Sequence, residues 1–396
     1  MKSLNVLAVL FLVVIVGCSS SDTERPPEEP GSLTSFNTVN IPSGLPNAAR
    51  AYVFDYVMVS VQGTNTTARA QLFEPIAAAP SDGYALVVWA HGTTGIANAC
   101  APSSSFDNFG NSTAIDALLE AGYAVLAPDY EGFGTPQIHP YYIRTSHANA
   151  IWDSIPAAHQ VEGSNLSDNW SIIGHSQGGH VALATARAVG YSAYPLQATV
   201  ALAPGTDLVS VSDAAFDAMD VAISSGELQA SAERLYYLNV YGTFIAHAFN
   251  VIDPNFEPES MFGDSIAPLM DEALNESNCG DFATSVANTV SQYAVANNTV
   301  AGFAGINRNW HTIPSLAEHI ANEAMSDEGQ DSPLLIVQGD LDRQIPISAT
   351  TAFVEAQQAL GTDITYEIIA GANHFAVGRS DFPVALNWLR ERFPPN

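Results

Sequence analysis

The chain has 396 residues, 47% hydrophobic and 13% charged, which supplies a large core and excludes global disorder. Its 41 acidic residues against 12 basic ones give a formal net charge of −29, a balance that repels phosphate backbones and argues against nucleic-acid binding. The only lysine is Lys2, and the acidic remainder reads as a solvated coat that keeps the protein soluble.

The N-terminus has the pattern of a targeting segment. Lys2 supplies a positive start, and Leu4 to Val16 form an apolar run too short to span a bilayer comfortably. The run ends in Ile15-Val16-Gly17-Cys18, which looks like a bacterial lipobox, so residues 1–17 are expected to be a signal peptide and Cys18 a lipidated N-terminus. Ser19 after the cysteine resembles lipoproteins sorted to an outer membrane, facing either the periplasm or the outside. The Ser/Pro/Glu-rich stretch that follows suits a tether, expected over residues 18–45. With Cys18 assigned, Cys100 and Cys279 remain as an even pair, which outside the cytoplasm is expected to oxidise and close a long loop. No zinc spacing, HExxH motif or EF-hand loop occurs, so a metal is not implied.

From about Ala51, short Val/Ile/Leu-rich runs alternate with helical ones. AYVFDYVMVSVQG and TARAQLFEP read as an opening strand pair; YALVVWAHG, YAVLAPDY, WSIIGHS, ATVALAPG, PLLIVQGD and ITYEIIAG read as strands buried on both faces. AIDALLEAG, HANAIWDSIPAAHQ, HVALATARAV and PVALNWLRERF read as helices, and the alternation predicts a doubly wound α/β sheet. Residues 46–206 and 331–396 are therefore expected to form the core. Residues 207–330, without strong strand signals and too long for a connector, are expected to be a helical insertion over the sheet.

Gly174-His175-Ser176-Gln177-Gly178 fits G-x-S-x-G between a strand pattern and a helix pattern. A turn that sharp needs glycines for close backbone approach and presents the Ser176 hydroxyl at a helix N-terminus. Serine needs a base. His374, in GANHFAVG after the last strand, is the expected one. His175 is too close along the chain, His180 is expected to bond locally, and the remaining histidines read as loop or cap residues. Asp342, in the GDLDRQIP loop, is the expected carboxylate partner; Asp340 is expected to cap that turn, and Asp207 is a remoter competitor. The order Ser, Asp, His suits this fold. The oxyanion donors are expected to be the backbone N–H of Gln177 and that of Thr93, with Gly92 or His91 as alternatives to Thr93.

WAHGTTGIANACAPS, PDYEGFGTPQIHPY, GHSQGGH, PLLIVQGDLD and GANHF occur in the order of the secretory lipase family, which the chain resembles from about Ala51 to its end. The resemblance implies an α/β-hydrolase fold with a helical cap, ester or acylglycerol substrates, an acyl tunnel under the cap and no cofactor. It also implies a Cys100–Cys279 bridge tying the oxyanion-side loop to the cap. The rivals to an esterase or lipase are a serine peptidase or amidase on the same fold, and a non-catalytic surface binding lipoprotein.

Overall fold

The structure is a computed structural model that describes residues 28–104, 111–275 and 279–395; the expected leader and Cys18 lie outside these residues. The strands are β1 (Leu33–Thr38), β2 (Ala48–Val59), β3 (Asn65–Pro75), β4 (Tyr84–Ala90), β5 (Ala124–Pro128), β6 (Leu166–His175), β7 (Leu196–Leu202), β8 (Leu334–Gly339) and β9 (Ile364–Ile369). They form one sheet in the order β1-β2-β3-β5-β4-β6-β7-β8-β9. Pairing is antiparallel from β1 to β5 and parallel from β5 through β4 to β9. The expected doubly wound, mostly parallel α/β-hydrolase sheet is what forms.

Strand β4 explains why a continuous apolar run marks a central strand. Leu86, Val88 and Ala90 enter a core with α2 (Arg144–His159), α3 (Gln177–Arg187) and α8 (Ile347–Ala359). Their alternates Ala85, Val87 and Trp89 enter a second core with α1 (Ser112–Glu120) and α9 (Phe382–Arg392). Both faces are covered by helices, so the period-two polarity of a half-exposed strand disappears.

One expectation needs correction, and one helix was missed. Residues 33–38 lie within the expected tether, yet they pair with β2 as an edge strand, and Leu33 and Phe36 pack against the core. The Ser/Pro/Glu composition ends at Ser32, so two apolar anchors suffice to dock the next turn of chain. Helix α8 was not anticipated, because its ISATT start is rich in β-branched residues with poor helix propensity.

Between β7 and β8 the chain leaves the sheet and builds α4 (Leu208–Ser224), α5 (Leu228–Ile252), α6 (Asp281–Asn297) and α7 (Ala317–Asn322). These helices have a core of their own, with Phe216, Leu238, Phe244, Phe249 and Trp310, into which Tyr141 and Tyr142 of the sheet side insert. Cys100 and Cys279 form a disulfide across this junction, with Cα atoms 5.2 Å apart. Gly95 lies directly beneath it at φ +133°, and a Cβ there would collide with the Cys100 sulfur.

Candidate active site

Ser176 occupies the step from β6 into α3 at φ 59°, ψ −117°, a backbone state costly for any residue with a Cβ. The step is held from below: Ser176 N–H donates to the Leu202 carbonyl at 2.8 Å, and His180 N–H to the Ser176 carbonyl at 3.1 Å. Asp342 lies in the loop after β8, and its carboxylate accepts four hydrogen bonds. Oδ1 takes the Gln344 and Ile345 N–H groups at 2.8 and 2.9 Å, and Oδ2 takes His374 Nδ1–H at 2.7 Å and the Gln338 amide at 3.0 Å. Burial pushes this carboxyl upward, but the adjacent His374 and the two backbone donors outweigh it and hold Asp342 below its ordinary value. With Nδ1–H directed at Asp342, His374 Nε2 is left as the basic nitrogen. Ser176 and His374 line one compartment together with Gly92 and Thr93. Neither Thr93 nor Gln177 has a backbone acceptor for its N–H among the described residues, so both are free to serve an oxyanion.

The competing carboxylates have other work. Asp340 Oδ1 accepts Gly371 N–H at 2.7 Å, a turn contact as expected, while Asp207 Oδ1 accepts Met325 N–H at 2.6 Å.

Sequence reasoning missed the supporting residues. Gln338, fully buried at the end of β8, donates to Asp342 while its carbonyl accepts Thr350 Oγ1–H at 2.9 Å. A lone polar residue closing an apolar strand was the available signal. The PDYEGFGTPQIHPY loop braces both oxyanion candidates. Tyr141 Oη bonds Thr93 Oγ1 at 2.7 Å, and the Gln177 amide donates to His139 Nε2 at 2.7 Å and His147 Nε2 at 3.2 Å. His139 Nδ1–H is spent on the Glu131 carbonyl, which makes its Nε2 the acceptor. His91 and His139 do lie in loops but are buried, and His147 is a buried residue of α2 rather than a loop or cap residue. His180 donates from Nδ1 to the Gly205 carbonyl at 3.1 Å, the local bond expected of it.

His175 has a role that its place in the chain concealed. Its Nε2–H donates to the His374 carbonyl at 2.7 Å, linking the strand that carries Ser176 to the loop that carries His374. Replacing it by phenylalanine keeps the ring and removes the donor, so kcat should fall about tenfold with KM little changed, because only the Ser–His geometry loosens. His175→Gln, whose amide reaches a similar point, should recover most of that loss. Equal defects in both variants, measured on p-nitrophenyl butyrate, would assign His175 to packing alone.

Burial also pushes the His180 imidazole down to about 4 from an ordinary 6.5. The folded value lies below the unfolded one, so the unfolded chain binds the extra proton between those limits and stability is lost as pH falls from 6.5 towards 4. His180→Asn, which retains a donor for Gly205, should gain about 2 kcal/mol relative to wild type on going from pH 8 to pH 5. Urea unfolding at the two pH values measures this. A pH-independent difference would mean that the native protein already protonates His180.

The family model described as Secretory lipase matches residues 102–396, most of the chain. The rice cell wall degrading esterase LipA from Xanthomonas oryzae superposes with a TM-score of 0.70 at 19% identity, over 92% of this chain and 99% of that one. Candida antarctica lipase A in its closed state gives 0.69 at 16% identity, over 92% of this chain and 82% of that one. A Fusarium sporotrichioides enzyme named trichothecene C-3 esterase is 39% identical over 61 residues, spanning only 15% of this chain and 14% of that enzyme. On the family match, the chain belongs to the secretory lipase family, a carboxylic ester hydrolase on an α/β-hydrolase sheet.

Proposed function

We propose that this ester hydrolase works by two-step acyl transfer with Ser176 as nucleophile, His374 as base and then acid, and Asp342 as the partner that orients His374. The observation that carries the reading is the Asp342–His374 bond of 2.7 Å beside a serine on a strained strand-to-helix step. Ser176 attacks the ester carbonyl and passes its proton to His374 Nε2. The oxyanion meets the N–H groups of Gln177 and Thr93, and His374 protonates the departing alcohol. Water then repeats the sequence on the acyl-enzyme and releases the acid.

The acyl group is assigned to an apolar pocket that opens at Ser176 and runs under the helical insertion, lined by Leu208, Leu238, Ile245, Met261, Ile306 and Trp310. The exposed wall is mostly apolar, although Arg234, Arg343 and several tyrosines also line it, and that suits a hydrocarbon chain. In this reading residues 207–330 are a cap over a core of residues 46–206 and 331–396. Acylglycerols or related acyl esters are the substrate class. The protein acts outside the cytoplasm, held to a membrane by lipid on Cys18 after removal of residues 1–17. The lipobox-like run supports the anchor, and among the described residues no helix is long and apolar enough to cross a membrane.

Hydrolysis of p-nitrophenyl esters from acetate to palmitate by the soluble chain from Ser19, beside Ser176→Ala, tests the proposal. Wild-type cleavage with a loss of at least about 10⁴-fold in the variant is expected. The best chain length then reports the depth of the acyl pocket. Absence of cleavage of every ester would sink the reading.

A further inference from the structure

Two compartments meet at Ser176, and they differ in chemistry. The apolar pocket described above does not reach His374, whereas the second compartment is lined by both Ser176 and His374. Tyr241 and Gln344 line both compartments, joined by a Tyr241 Oη–H to Gln344 Oε1 bond of 2.5 Å, and so form the partition. The leaving oxygen has to come within reach of His374 Nε2 to be protonated. His374 also lines a third compartment, which Ser176 does not reach, so the compartment lined by both residues is the one that receives the alcohol.

Of 41 acidic residues, none lines this compartment among the described residues, while Arg379 and Asn111 do. Arg379 has no carboxylate within ion-pair distance among the described residues, and its guanidinium is steadied over the Phe375 ring at 5.2 Å. Asn111 is 5% exposed, and its Oδ1 accepts Trp89 Nε1–H at 3.0 Å. An indole nitrogen can only donate, so this bond fixes the amide orientation and leaves the Asn111 NH2 for a ligand. In this compartment Arg379 and the Asn111 NH2 are thus donors left without a partner, one cationic and one neutral.

We propose that this compartment is a binding site for the alcohol portion of the substrate, and that it selects alcohols bearing a carbonyl or carboxylate oxygen close to the ester, as in esters of hydroxy acids. Arg379 and Asn111 are the specificity-determining residues, each donating to that oxygen. The inference rests on the acyl-transfer reading above. The reaction balances as ordinary hydrolysis: the ester C–O bond breaks, His374 delivers the proton taken from Ser176 to the alcohol oxygen, and water supplies the hydroxyl of the released acid.

The test uses three butyrates that share one acyl group and hence one deacylation step: butyl butyrate, butyryloxyacetamide and butyryloxyacetate. Each kcat/KM is normalised by the rate of alkaline hydrolysis of the same ester. The amide and the anion are expected to exceed butyl butyrate by about tenfold in wild type. Arg379→Gln should lower the anion-to-butyl ratio by about tenfold, an effect limited by the exposure of the arginine. Asn111→Asp keeps the acceptor for Trp89 and puts a carboxylate oxygen where the NH2 stood, so it should turn preference for the anion into discrimination against it. Normalised rates within twofold of one another in wild type, or ratios unmoved by both substitutions, would overturn the proposal. Those results leave the acyl-transfer reading standing, provided p-nitrophenyl butyrate is cleaved. If wild type cleaves none of these esters, both readings fall.

Discussion

Asp342→Asn should lower kcat by about 10⁴-fold on any ester, with little change in KM. The argument lies in which way the new amide must face. Asp342 Oδ1 accepts two backbone N–H groups, from Gln344 and Ile345, and these donors cannot turn away. An asparagine therefore keeps its carbonyl oxygen there and directs its NH2 at His374 Nδ1 and the Gln338 amide. The NH2 donates to Nδ1, which drives the imidazole proton to Nε2, and His374 then faces Ser176 with a proton where a lone pair is required. Gln338 meets a second donor instead of an acceptor, and it cannot reverse without turning its own carbonyl on the Ile345 carbonyl, to which its NH2 donates at 3.2 Å. Asp340→Asn is the control. Asp340 is exposed and serves one turn N–H, so its loss should change kcat by less than about twofold. A loss of under tenfold for Asp342→Asn would remove Asp342 from the mechanism.

These contrasts show what a single sequence can carry. Ser176, Asp342 and His374 were legible because each lies at the carboxyl end of a strand or in the loop after one, beside local punctuation that states the backbone's requirement. Gly174 and Gly178 flank the serine, and Gly339 and Pro346 bracket the Asp342 loop. The alternating helices and double-sided strands were legible for the same reason, since their periodicity is written within ten or fifteen residues. The braces were not. His175 meets the His374 carbonyl across 199 positions, and His139 meets Gln177 across 38, so nothing local marks either histidine as a brace. The motif that supplies His139 and Tyr141 was visible as a resemblance, but its work of steadying Gln177 and Thr93 appears only when three loops converge. Edge strand β1 escaped because it needs only two apolar anchors and borrows the rest of its order from β2.

The largest stability loss should follow Gly178→Ala, more than about 4 kcal/mol. Gly178 is in the first turn of α3, and conformational strain is not its constraint, because its backbone does not enter the left-handed region. Space is. A Cβ there would fall within the Ala90 carbonyl and close to that of His91, the last residue of β4 and the one after it, where β4 is packed between β5 and β6 at the centre of the sheet. Gly174 faces the same problem in return, since its own Cβ would strike the Gly178 carbonyl. Neither obstacle is a side chain that can swing aside, so α3 or β4 has to move as a body. Gly134→Ala separates crowding from strain: Gly134 holds φ +72° with nothing within 4 Å of a new Cβ, and should cost only about 1 kcal/mol. Thermal melts should then place Gly134→Ala within a few degrees of wild type and Gly178→Ala far below it. An alanine at 178 that melted alongside wild type would show that the elbow can open without cost. Any Gly178→Ala protein that does fold carries the displacement into His91, Gly92 and Thr93, where an oxyanion donor is expected. Its kcat should therefore fall even at temperatures where it remains native, which separates damage to the site from loss of the fold.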